Sequence, residues 1–213
     1  MIKFSTPFKF ITIFFVSALL FIVQQALSYS GGPPDGMSGA PGDSNCTSCH
    51  SGTPTSSSSD ISVFTSATNG VYIPDSTYII TVRARTSGCV RFGFETTVLN
   101  TSASPTKLGT LGIPSAATNV QLSTGSRDYV KHTYSGSSAI YTDSTDWSFT
   151  WVAPSSPLGD AIIYVAMNAT DNSGSNSGDQ INLNNFTLPQ TSNVPVATIT
   201  TNVSTICQNS GSF

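Results

Sequence analysis

Hydrophobic and polar side chains alternate along the middle of the chain with a period of two, which is the pattern of β-strands. Over residues 78–85 the even-numbered positions, from Tyr78 to Ala84, are apolar, and the positions between them are mostly polar. Over residues 90–98 the even-numbered positions are again apolar or Thr. Both segments are predicted as strands that bury one face and expose the other.

Further strand signals follow at regular intervals, with Gly, Pro, Asn and Asp between them. Trp147, Phe149 and Trp151 alternate with Ser and Thr, and we expect these three aromatic side chains in the core. No segment has the period of an amphipathic helix. The pattern therefore predicts an all-β fold, an antiparallel β-sandwich of the immunoglobulin-like class over residues 60–190. Its other predicted strands are 61–64, 107–111, 119–122, 128–134, 161–169 and 181–188.

The first 28 residues have the organisation of a signal peptide. Lys3 and Lys9 precede an apolar stretch over residues 10–23, and the small residues of Ala26-Leu27-Ser28 form a cleavage site before Tyr29. The stretch is shorter than the 18 or more residues that span a bilayer, and no later segment could span one. Residues 1–28 are predicted to be removed, and the mature chain to be exported.

Two other segments lie outside the predicted sandwich. Residues 29–59 are rich in Gly, Pro and Ser and have no periodicity, and an irregular segment of that length is usually functional or disordered. Residues 191–213 begin with a linker between Pro189 and Pro195 and continue with a strand signal. We interpret them as a linker and the truncated start of a further β domain.

The net charge and composition of the chain indicate which classes of binding partner are not expected. The chain has 8 basic and 11 acidic residues, and removing the two N-terminal lysines leaves six basic residues, a formal charge of −5. Nucleic acid and anionic membranes are therefore not expected as partners. Charged residues make up 9% of the chain, and a surface of Ser, Thr, Asn and Gly is typical of secreted β-proteins.

The predicted irregular loop contains the most specific motif of the chain, Cys46-Thr47-Ser48-Cys49-His50. In a Cys-x-x-Cys-His sequence each Cys can form a thioether to a haem vinyl group, and the His binds the iron. The chain has only four Cys and two His, so the pattern is unexpected by chance. It predicts one covalent c-type haem, with Cys46 and Cys49 as attachment sites and His50 as the proximal ligand.

Two other interpretations of the motif stay open. Cys46 and Cys49 could form a disulfide, which an oxidising compartment favours. They could also bind zinc together with a His and Cys89, although no second Cys-x-x-Cys completes a tetrahedral set. Outside the motif, Cys89 is interpreted as a small buried hydrophobic residue or, less simply, as the partner of Cys207.

A low-spin haem commonly has a second protein ligand, His or Met. His132 lies in the predicted strand 128–134 on the same face as Val130 and Tyr134, so its imidazole is expected to point inward. It is the candidate distal ligand, with a structural hydrogen-bonded His as the other possibility. Met167 is the alternative ligand, in a strand that is apolar throughout, and Met37 is the weakest candidate.

No catalytic motif is present. The chain has no Ser-His-Asp order, phosphate loop or His-Glu-x-x-His motif, and its acidic residues are scattered at turns. Residues 171–179 resemble a calcium loop in composition but lack the closing Glu, and we interpret them as a long hairpin loop. No catalytic residue is therefore assigned.

Several of these runs together resemble the choice-of-anchor V domain, a family of exported bacterial proteins that is similar to the reeler domain. The resemblance covers about residues 29–190 and is carried by Tyr29–Gly36, Gly39–Gly42, Cys46–Gly52, Tyr129–Thr133, Trp147–Pro154 and Asn176–Asp179. It implies a reeler-like β-sandwich at the cell surface, often followed by repeats and an anchor. The family's Tyr-Val-x-His-Thr motif falls on His132 and favours it as the distal ligand. The resemblance gives no support for an enzyme.

The sequence thus leads to two functional hypotheses. The first is an exported, periplasmic or surface monohaem c-type cytochrome domain that transfers electrons to a redox partner protein or an extracellular acceptor. The second is a non-catalytic extracellular adhesion or recognition module, in which Cys46 and Cys49 form a structural disulfide.

Overall fold

A computed structural model describes residues 29–191 of the chain. The predicted signal peptide, the predicted further domain and Cys207 lie outside the described residues. Within residues 29–191 there are ten strands and three short 3-10 turns. The strands are β1 (Thr55–Ser56), β2 (Ile61–Thr65), β3 (Thr77–Arg85), β4 (Arg91–Asn100), β5 (Thr110–Gly112), β6 (Val120–Ser123), β7 (Tyr129–His132), β8 (Ser144–Val152), β9 (Ala161–Thr170) and β10 (Gln180–Leu188).

The strands form two sheets. One has six strands in the order β1-β10-β9-β4-β7-β6, and the other has four in the order β2-β3-β8-β5. Every pairing is antiparallel except that of β1, which adds to the edge of β10 in parallel. The predicted all-β sandwich is confirmed. Among residues 29–191, no helix has the length and hydrophobicity needed to cross a membrane.

The aromatic residues of β8 form the centre of the core. Trp147, Phe149 and Trp151 are all fully buried, as their spacing predicted. Phe94 of β4 stacks on Trp147 with the ring centroids 4.2 Å apart. Each indole N–H also donates to a backbone carbonyl oxygen at 2.8 Å, so neither Trp leaves a polar group unpaired in the core.

The predicted strand 128–134 is shorter in the structure. Val130 is buried as expected, but the chain leaves the sheet after His132, and Tyr134 is 62% exposed. Tyr134 precedes the 3-10 turn Ser135–Ser137, which redirects the chain toward β8. The alternation of apolar residues was correct at Val130. It fails at the end of the strand, where His132 is buried against Gly93 of the outer face and Tyr134 is exposed.

Residues 29–54, here called the N-terminal segment, pack against the outer face of the six-stranded sheet. The core side of β9 carries Val165 and Met167, so Ala166 between them faces outward. Gly39 lies over Ala166, and a Cβ placed on Gly39 would come within 3.9 Å of the Ala166 methyl group. Two ion pairs fix the segment to β7 and to the turn before it. They are Asp35 with Lys131 at 2.6 Å and Asp43 with Arg127 at 2.6 Å.

Candidate functional site

A cavity of about 710 Å³ lies between the N-terminal segment and the outer face of the six-stranded sheet. Its walls include Cys46, Cys49, His50, Glu95 and His132. The structure therefore brings the Cys-x-x-Cys-His motif and His132, which are distant in sequence, to one cavity. The volume lies within the roughly 300–1,000 Å³ that is common for small-molecule and cofactor sites.

The motif folds as a short 3-10 turn over Cys46–Ser48. Asn45 begins the turn by accepting the backbone N–H of Thr47 at 2.9 Å, and the backbone N–H of His50 donates to the Cys46 carbonyl oxygen at 2.9 Å. Cys46 and Cys49 are both free in the structure. Burial, with a smaller contribution from the charge of Glu95, raises the pKa of the Cys46 thiol to about 12, so Cys46 stays protonated at neutral pH.

The imidazole of His50 is oriented by Asn168 of β9 and by Asp179, the last residue before β10. Its Nδ1 contacts the carboxylate of Asp179, whose side chain is 2% exposed. The side-chain nitrogen of Asn168 lies 3.1 Å from the same Nδ1. A carboxylate at Nδ1 favours the tautomer that leaves the Nε2 lone pair free, as is usual for a metal-binding His.

The loop between β9 and β10 holds the motif from the other side. This loop is residues 171–179, and the structure confirms it as a hairpin loop. Asn176 donates its side-chain N–H to the Cys49 carbonyl oxygen at 3.2 Å, and its own carbonyl oxygen accepts the Ser51 N–H at 2.9 Å. Sequence reasoning gave Asn168, Asn176 and Asp179 no role, although the Asn176–Asp179 run belongs to the resemblance stated above.

His132 is 7% exposed and is held by the backbone of β4. Its Nδ1 lies 3.1 Å from the N–H nitrogen and 3.2 Å from the carbonyl oxygen of Phe94. Because one nitrogen cannot donate and accept a proton at once, these contacts correspond to two tautomers. Donation from Nδ1 to the Phe94 carbonyl leaves Nε2 as a free lone pair. Burial lowers the pKa of His132, which favours the neutral form that a metal ion requires.

Gly93 provides the space for the His132 ring. A Cβ at Gly93 would lie 2.9 Å from His132 Cε1 and 3.4 Å from Nε2, so any side chain at this position would meet the imidazole. Gly93 is thus required because the His132 ring packs closely against the β4 backbone, and not because the backbone adopts an unusual angle there.

Replacing Gly93 with Ala is expected to displace the His132 ring and to lower the free energy of unfolding by about 1–3 kcal/mol, the usual cost of overpacking. Urea denaturation measures the loss of stability, and the His132 imidazole resonances in NMR spectra report the displacement. Gly31→Ala is the matched control, because nothing lies within 4 Å of a Cβ at that position. Unchanged His132 resonances in Gly93→Ala would contradict this account.

The other candidate ligands lie in different places. Met167 is fully buried in the core, with its sulfur 4.0 Å from the Asn182 side-chain nitrogen, and it does not line the cavity. Met37 lines the cavity. Cys89 is buried in the core. Within residues 29–191, no three His, Cys, Asp or Glu side chains are grouped so that they could hold a metal ion, so the zinc set proposed from the sequence is not assembled there.

Glu95 is a wall residue that sequence reasoning missed. It is 1% exposed, and one carboxylate oxygen accepts the Met37 N–H at 2.5 Å while the other has no hydrogen-bond partner. Burial raises the pKa of Glu95 to about 7. The cavity thus combines two oriented imidazoles, two thiols and a protonatable carboxyl group.

This donor set fits a c-type haem. The thiols lie in the same wall as His50, and both imidazoles have Nδ1 occupied by a protein group. His50, His132, Cys46 and Cys49 would hold such a group. Residues of the N-terminal segment form one wall and sheet residues such as Gly93 form another, so the cavity has two sides between which a flat ligand could lie.

The chain is similar in fold to several solved structures. No protein-family model matches the chain, and no curated protein matches it. The chain is similar to the reeler domain of human F-spondin, with a TM-score of 0.45 and 17% identity, over 66% of this chain and 95% of that one. It is also similar to the Reelin-N domain of F-spondin, with a TM-score of 0.47 and 17% identity, over 66% of this chain and 92% of that one.

Proposed function

We propose that this chain is an exported c-type cytochrome domain that holds one haem covalently through Cys46 and Cys49. His50 is the proximal ligand and His132 the distal ligand. The observation that carries the proposal is that all four side chains line one cavity. They come from two distant segments, which a purely local Cys-x-x-Cys turn would not require.

The surrounding residues prepare both imidazoles for ligation. Asp179 can accept a hydrogen bond from His50 Nδ1, and the Phe94 carbonyl oxygen can accept one from His132 Nδ1. In these tautomers each contact fixes the ring orientation and leaves the Nε2 lone pair free for a metal ion. A haem with two protein ligands supplies one-electron transfer. With both axial positions occupied by protein, the domain would carry electrons for a redox partner or an extracellular acceptor rather than bind a substrate at iron.

The second candidate is a non-catalytic extracellular recognition module with a Cys46–Cys49 disulfide. The solved structures named above are reeler domains of F-spondin, and neither is described as a haem protein. The similarity to them therefore agrees better with a recognition module than with a cytochrome. The support for the first candidate is that Cys46 and Cys49 line a cavity of cofactor size together with His50 and His132.

Expression of the whole chain in the periplasm of a host with an active haem-attachment system separates the candidates. The expected product has a Soret band that survives denaturation and extraction with acidic acetone. The matched control is the Cys46→Ser, Cys49→Ser double variant, which should lose all of its haem on extraction.

A colourless product from that host would contradict the haem proposal. Mass spectrometry of the same product, with and without reduction, then tests the second candidate. A mass two units below that of the reduced chain, with Cys46 and Cys49 linked in one peptide, would support the recognition module.

A further inference from the structure

Among residues 29–191, Arg91 is the one Lys or Arg in the cavity wall. Four of the described Lys and Arg residues form ion pairs with Asp, namely Arg83, Lys107, Arg127 and Lys131. In residues 29–191, Arg85 and Arg91 are the two that form none. Arg85 is exposed on β3, whereas Arg91 is half-buried at the start of β4. A half-buried cation without a protein carboxylate is able to pair with a carboxylate of a ligand.

The guanidinium of Arg91 is held in place by two neighbours. Its central carbon lies 5.3 Å from the centroid of the Tyr134 ring, and one terminal nitrogen donates to the Ser137 hydroxyl oxygen at 2.8 Å. Both neighbours also line the cavity. The 3-10 turn that ends the predicted strand early therefore serves to position Tyr134 under Arg91. A guanidinium has five N–H donors in a planar fork that matches a carboxylate.

The acidic residues of the cavity lie elsewhere in its wall. Glu95 contacts Met37, and Asp179 contacts His50. These two positions offer no cation to a ligand carboxylate, whereas Arg91 does. The charge distribution of the wall thus favours one orientation of such a ligand.

We propose that Arg91, supported by Tyr134 and Ser137, binds a carboxylate of the ligand in the cavity. This inference rests on the proposed function and assigns the group that orients a planar macrocycle with carboxylate side chains. Arg91 is a binding residue in this proposal and has no part in coordinating a metal.

The test uses metal-free porphyrins, so that axial coordination does not contribute. The whole chain with Cys46→Ser and Cys49→Ser is titrated with protoporphyrin IX and with its dimethyl ester, and binding is followed by the quenching of Trp fluorescence. The diacid is expected to bind about tenfold more tightly than the diester, the effect of roughly one charge-assisted contact. Arg91→Gln should reduce this preference to less than twofold, and Arg91→Lys should give an intermediate value.

Arg85→Gln is the matched control, since it removes an unpaired guanidinium that lies outside the cavity. Far-UV circular dichroism establishes that each variant is folded. If both porphyrins bind and Arg91→Gln leaves their ratio unchanged, the Arg91 proposal fails while the haem proposal stands. If neither porphyrin binds and the native chain is colourless, both proposals fail.

Discussion

The Glu95→Gln variant is expected to be more stable than the native chain by about 3 kcal/mol at pH 8, and equally stable at pH 4. Glu95 is the only Glu in the chain, and its carboxyl group is almost completely buried with one oxygen unpartnered. Its pKa is raised from 4.5 to about 7, chiefly by burial. The folded state therefore binds this proton more tightly than the unfolded state does.

The sign of the effect follows from that difference. Below pH 4.5 the Glu95 carboxyl group is protonated in both the folded and the unfolded state. Folding then has no cost from burying a charged carboxylate. Between pH 4.5 and about 7 the unfolded state loses its proton first, so the stability of the native chain falls as pH rises. Lys131 lowers the pKa only partly, because its ammonium group is bound to Asp35 and to the Pro33 carbonyl oxygen.

Urea denaturation of both proteins between pH 4 and pH 8 measures this difference. Asp75→Asn, which removes an exposed carboxylate, is the control for the loss of charge alone. Gln is close in shape to a protonated Glu and can still accept the Met37 N–H. Parallel stability profiles of Glu95→Gln and the native chain would show that the pKa of Glu95 is the same in the folded and unfolded states, which would contradict the prediction.

In the haem-loaded protein that we propose, His132→Ala should convert a six-coordinate low-spin absorption spectrum completely to a high-spin spectrum. The change removes the imidazole that lies against Gly93, and no other His is available among the described residues except His50. Covalent attachment should persist, because Cys46, Cys49 and His50 are unchanged. Visible absorption and electron paramagnetic resonance measure the spin state.

Met167→Leu is the matched control for this experiment. Met167 was the alternative ligand from the sequence, but its side chain lies in the core away from the cavity wall. The variant should keep the low-spin spectrum of the parent. A low-spin spectrum in His132→Ala would exclude His132 as the ligand, and a high-spin spectrum in Met167→Leu would return the assignment to Met167.

The period of two in the sequence was enough to predict the sandwich and its aromatic core. Trp147, Phe149 and Trp151 alternate with hydroxyl residues, and burial follows directly from that alternation. The same rule fails for Glu95. It occupies an outward-facing position, which is normally in contact with solvent, but the N-terminal segment covers that face of the sheet. A local pattern contains no information about a segment that packs there from 58 residues away.

The site was predicted only in part, because some of its residues are also distant from the motif in sequence. Cys46, Cys49 and His50 form a contiguous motif, and His132 was identified from its strand and the family resemblance. Asp179 lies 129 residues from His50 and Asn168 lies 118 residues from it, and single acidic or amide residues in a chain rich in Asn and Asp are not distinctive. Only the pairing of β9 with β10 places both beside the imidazole.

The position of β10 at the end of the sandwich also sets an order of events during synthesis. His50 leaves the ribosome 129 residues before Asp179, which at about 5–20 residues per second amounts to roughly 6–26 s. Throughout that interval the Cys-Thr-Ser-Cys-His turn lacks Asp179, and the loop between β9 and β10 does not yet cover its two thiols. In the haem protein that we propose, covalent attachment could therefore precede the closing of the β9–β10 hairpin over the modified segment.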